Sequence, residues 1–90
     1  MVSVQTTMPW ETTALMKYNK MLNLIPLFHR GIAQEVVNKK AELLAQERKS
    51  AQVEEADIVE AFMTEVPKAF YSLMIRIMSE VGFDYKKYMK

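Results

Sequence analysis

The sequence predicts an all-α fold, a small bundle of about four helices around one long central helix. Three observations carry this. Apolar residues recur at spacings of three and four along most of the chain, prolines and a glycine fall where helices begin and end, and no alternating stretch is long enough for a sheet.

Residues 1–8 mix small, polar and β-branched types without helical spacing and read as a flexible leader. A first helix is expected to start near Pro9, because proline suits a first turn, where its missing N–H has no intrahelical partner anyway. Its apolar stripe is Trp10, Ala14, Tyr18, Met21, Leu22 and Ile25. Pro26 biases the preceding residue away from helical angles, so this helix should end around Asn23 or Leu24 and a second should start at Pro26. The second stripe runs Phe28, Ile32, Val36, Ala41 and Leu43 or Leu44, flanked by Ala33 and Val37, with Phe28 as the core anchor. It continues to about Arg48 and forms the long central helix.

Residues 49–52 read as a connection and 53–62 as a short third helix whose early acids, Glu54, Glu55 and Asp57, suit the positive end of the helix dipole. Pro67 is placed to open a fourth helix with the stripe Phe70, Leu73, Met74, Ile77 and Val81, and Gly82 is the expected residue just past its end. The tail has the length for one further turn. Residues 9–66 thus make the main helical unit, and residues 67–90 a C-terminal helix with an aromatic and basic tail packing on it.

Ninety residues make one domain, and a domain of this size buries only roughly 60 to 65% of its unfolded surface, so self-association would strengthen a marginal core. The absence of cysteine excludes disulfides, thiolate-held clusters, a catalytic cysteine and cysteine-based zinc patterns. No apolar run approaches a membrane span, and the first residues lack the layout of a signal peptide, so a soluble, cytoplasmic protein is expected. Twelve Lys and Arg against 11 Asp and Glu make no global electrostatic bid for nucleic acid. Charge is instead patched, acidic over residues 50–66 and basic over 67–90, and eight methionines favour an adaptable apolar face.

Trp10 and Ala14, then Ile25, Pro26, Leu27, Phe28, His29, Arg30 and Gly31 with Ala33, Glu35 and Ala41, and finally Val53, Glu54, Glu55, Ala56, Asp57, Ile58, Val59, Glu60 and Ala61 carry a resemblance. This pattern resembles the small helical domain at the C-terminus of the B subunit of light-independent protochlorophyllide reductase, over about residues 10–61. His29 stands where that family has valine, and Glu54 where it has a small hydroxyl helix cap. The resemblance implies a module packed beside a tetrapyrrole site in a multi-subunit reductase, whose cluster ligands and electron transfer reside elsewhere.

His29, Arg30 and Gly31 in the first turn of the second helix are the candidate ligand-binding set. The unpaired N–H groups and dipole there favour a carboxylate or phosphate, and His29 could alternatively ligate a tetrapyrrole metal or be a partly exposed residue with a local hydrogen bond. Arg30 can instead form an internal ion pair with Asp57 or Glu60. Gly31 is costly inside a helix and is expected to mark close approach of another helix or a flat ligand. The acids Glu54, Glu55, Asp57 and Glu60 lack a calcium loop and read as a solvated helix start. Phe70, Tyr71, Met74, Tyr85 and Tyr88 form a candidate interface, with ordinary core as the alternative.

No catalytic set, phosphate loop or metal motif is present in the sequence, so neither a catalytic nor a metal site is expected, and no cofactor beyond possible tetrapyrrole binding. The expected function is a non-catalytic interaction module with a protein partner or a second copy, accessory to a tetrapyrrole or redox enzyme. The alternative is a histone-fold-like DNA-binding protein, suggested by a long helix followed by the short one ending in Asp57, Ile58, Val59, Glu60 and Ala61. Its acidic third helix and near-zero charge argue against nucleic acid.

Overall fold

The computed structural model describes residues 8–88, so most of the expected leader, and Met89 and Lys90 of the tail, lie outside the described residues. The fold is all-α. Helix α1 spans Thr12–Leu24, α2 Leu27–Glu47, α3 Glu55–Glu65, α4 Tyr71–Val81 and α5 Tyr85–Tyr88, with a 3-10 turn at Lys68–Phe70 before α4.

Helix α1 starts at Thr12 rather than near Pro9. The residues before it are held extended: Trp10 bridges in parallel to Val53, with Glu11 N–H donating to the Val53 carbonyl at 2.8 Å and Val53 N–H to the Pro9 carbonyl at 2.9 Å. Glu11 then caps the helix, its carboxylate accepting from the N–H groups of Thr13 and Ala14 at 2.8 and 2.9 Å. Those two backbone donors hold the Glu11 carboxyl below its ordinary pKa. The expected stripe is buried in full, from Trp10 to Ile25. Ile25 turns extended before Pro26 and stops the helix.

Helix α2 ends in a Schellman-type turn, in which Ser50 N–H reaches back to the Ala45 carbonyl and Lys49 N–H to that of Gln46, both at 2.9 Å. Lys49 takes the left-handed position, φ 59°, where glycine is usual. Arg48 then clamps α2 to α3. Its Nε and Nη2 donate to the two oxygens of Asp57 at 2.9 and 2.6 Å, and Asp57, only 1% exposed, also accepts from the N–H of Glu54 at 2.9 Å. Sharing its protons with Asp57 raises the Arg48 pKa above its ordinary value. At the far end of α4, Gly82 adopts φ 91°, as the helix-end reading requires, and its carbonyl accepts from Lys17 Nζ at 3.1 Å.

The core joins all of these elements except the 3-10 turn and α5. Tyr18 lies at its centre, stacked on Trp10 with ring centroids 5.2 Å apart and edge-on to Phe62 at 5.8 Å, with Met21, Val37, Ile58 and Met78 fully buried around them. Met74, Ile77, Met78 and Phe83 bring the C-terminal part of the chain into the same core.

The face that α2 buries differs from the expected one. It turns inward a line of polar residues spaced by four, Gln34, Asn38 and Glu42, together with Val37, Ala41 and Ala45. Trp10 Nε1 donates to Glu42 Oε2 at 2.8 Å, and the Tyr18 hydroxyl donates to Asn38 Oδ1, with the Gln34 carbonyl at 3.4 Å. Desolvation there keeps the Tyr18 phenol protonated far beyond its ordinary range. Of the expected stripe only Ala41 is fully buried. Phe28 is 92% exposed, Ile32 68% and Leu43 47%, so Phe28 is not a core anchor.

Two expectations follow. In a double-mutant cycle, Arg48→Met and Asp57→Asn should show a coupling of about 1.5 to 3 kcal/mol by chemical denaturation; additivity would mean the fork is not formed. The Glu11 cap is stronger as a carboxylate, whose folded pKa is depressed, so that extra contribution is present above the unfolded pKa and is lost as pH falls through the folded one. The stability gap between wild type and Glu11→Gln should therefore be constant near neutrality and close in acid.

Candidate functional site

The turn between α1 and α2 projects residues 25–31 to one end of the bundle. Here Ile25 is buried, whereas Pro26, Leu27, Phe28, His29 and Gly31 are exposed. Arg30 does not pair with Asp57 or Glu60. Its Nη2 donates to the carbonyls of Asn23 and Ile25 at 3.0 and 3.1 Å, capping the C-terminal end of α1. The reason is distance along α2: Asp57 is held by Arg48, which at 1.5 Å rise per residue lies roughly 27 Å along the helix from Arg30. Arg30 Nε, for its part, is buried without a hydrogen-bond partner in the protein.

Gly31 meets no close neighbour. A Cβ built there would touch nothing within 4 Å, so Gly31 does not mark the close approach of another helix. The His29 ring lies tilted against Phe70, with centroids 5.6 Å apart. Of the three residues expected as one binding set, Arg30 caps α1, His29 lines the groove and Gly31 lies on open surface.

His29 stands on the rim of a groove of about 200 Å³ between α2 and the start of α4. One wall is Ile25, Pro26, Ile32, Ala33 and Val36; the other is Val66, Pro67, Phe70, Leu73 and Met74, with Glu65 at the edge. The lining is almost wholly apolar, and the exposed Leu24, Leu27, Phe28 and Ile32 extend apolar surface beyond it. An apolar groove with exposed apolar side chains at the same end of a small domain is a recognition feature rather than a chemical one. Among the described residues, no three His, Asp or Glu side chains group as a metal centre.

The expected interface residues separate. Phe70 and Met74 line the groove, although Met74 is itself buried, and the Tyr71 hydroxyl donates to the Met63 carbonyl. Tyr85 and Tyr88 are half-buried on α5, packed against the core. Burial, then the carboxylates of Glu55 and Asp84, push the Tyr88 phenol up. Sequence reasoning missed Leu27 and Phe28 as surface residues. The available signal was the polar line at 34, 38 and 42, which competes with the apolar stripe for the inner face of α2.

The chain matches no family model, and neither a curated protein nor a solved structure matches it. No helix among the described residues is long and apolar enough to cross a membrane.

Because nothing approaches Gly31, Gly31→Ala should raise stability by about 0.5 to 1 kcal/mol in thermal or chemical unfolding. A destabilised variant would restore the close-approach reading.

Proposed function

We propose that this chain is a non-catalytic interaction module of the cytoplasm, which docks a partner on the apolar surface formed by the start of α2 and its groove with α4. The observation that carries this reading is Phe28, a full aromatic side chain 92% exposed beside a groove lined by apolar residues. Covering such a side chain contributes roughly 1.5 to 3 kcal/mol, and it anchors contacts of the kind that dominate interfaces.

The protochlorophyllide-reductase resemblance narrows the proposal to an accessory of a tetrapyrrole or redox enzyme. What supports that narrower reading is His29 on the rim, an exposed imidazole next to an apolar groove and the Phe70 ring. An imidazole can ligate a tetrapyrrole metal while apolar walls take the edge of the macrocycle.

The test is site-specific photocrosslinking in the cell of origin, with a benzophenone amino acid at Phe28, at Phe70 and at the exposed Asn19 of α1. A discrete adduct from the first two and none from Asn19 is expected. Equal labelling from all three would dissolve the docking site. In parallel, titration with a zinc porphyrin should shift its main absorbance band with wild type and not with His29→Ala if the tetrapyrrole role holds; no shift with wild type would remove that role and leave protein docking.

A further inference from the structure

We infer that the partner on the outer face of α2 is a second copy of this chain, lying antiparallel across a two-fold axis beside Val36. This rests on the docking reading above and names its occupant. At about 100° per residue, Phe28, Ile32, Val36 and Leu43 line the side of α2 opposite Val37, Ala41 and Ala45, which face the core. By the same angle Glu35 lies at one edge of that stripe and Lys39 within it, between Phe28 and Ile32.

The order along this face is self-complementary. With the two-fold at the level of residue 37, Glu35 lies level with the second copy's Lys39, and Lys39 with its Glu35. Ile32 falls within one residue's rise, about 1.5 Å, of the second copy's Leu43, and Val36 meets its own counterpart across the axis. A parallel pair puts the two copies' Glu35 and Lys39 on opposite edges of the seam and makes neither of these pairs. Within one chain Glu35 and Lys39 make only an open pair, 3.9 Å apart with side chains 70% and 80% exposed, so exchanging the two intrachain pairs for two between copies gives up little.

The need for such a partner is physical. The core leaves Ile32 and Leu43 uncovered on the longest helix, apolar surface that a second copy would remove from water.

Sedimentation of the full chain from low micromolar to submillimolar concentration tests the inference. Wild type should dimerise, and Glu35→Lys alone and Lys39→Glu alone should each associate at least about tenfold more weakly, because each sets like charges level across the axis. Mixing the two single variants should recover the wild-type dimer, since every pair is then opposite in sign; recovery also shows that both variants are folded. A wild-type chain that stays monomeric overturns the inference, as does a dimer indifferent to either change or a mixture that does not recover. A monomer that still yields a discrete adduct from position 28 leaves the docking reading standing with a different partner, whereas a monomer without that adduct removes both.

Discussion

Two hydrogen-bond donors at the centre of the bundle set the orientation of its longest helix. Trp10 and Tyr18 stack together in the core, and stacking buries an indole N–H and a phenol that each need an acceptor. A buried donor left without one costs roughly 1 to 3 kcal/mol, comparable with the gain from burying one aliphatic side chain. Helix α2 answers by turning Glu42 and Asn38 inward, with Gln34 on the same line. The rotation that satisfies the donors carries Phe28, Ile32 and Leu43 to the outside.

The remaining contacts lock that rotation. The bridge between Trp10 and Val53 ties the entry to α1 to the entry to α3, and the Arg48–Asp57 fork fixes how α3 leaves the end of α2. At the opposite end of α2, Arg30 closes the open carbonyls of α1 and secures the corner at Pro26. Both ends of the helix are thereby tied down by arginine. Its outer face can vary in what it meets without disturbing what it covers.

Much of this was legible in the residues. Pro26, Pro67 and Gly82 mark real boundaries because each restricts the backbone locally, whatever the tertiary setting. The α1 stripe is right for a similar reason: one face is apolar and the other polar, so periodicity alone decides. On α2 periodicity fails because both faces have a claim to burial, one apolar and one carrying acceptors, and only the placement of Trp10 and Tyr18 decides between them. Arg30 and Gly31 were misjudged for want of distances. Charge suggested Asp57 as a partner, but chain geometry puts another arginine beside it. Of the candidate site, His29 and Phe70 were visible from sequence and do come together, whereas Phe28 was assigned to the opposite environment.

The functional reading depends on this one orientation, for a helix with its apolar stripe turned inward would offer no surface to dock. Solvent paramagnetic relaxation of methyl signals in dilute solution measures it most directly. Strong broadening is expected for the Ile32 and Leu43 methyls and none for those of Val37 or Ile58. Protection of Ile32 and Leu43 at every dilution, with Val37 broadened instead, would contradict it.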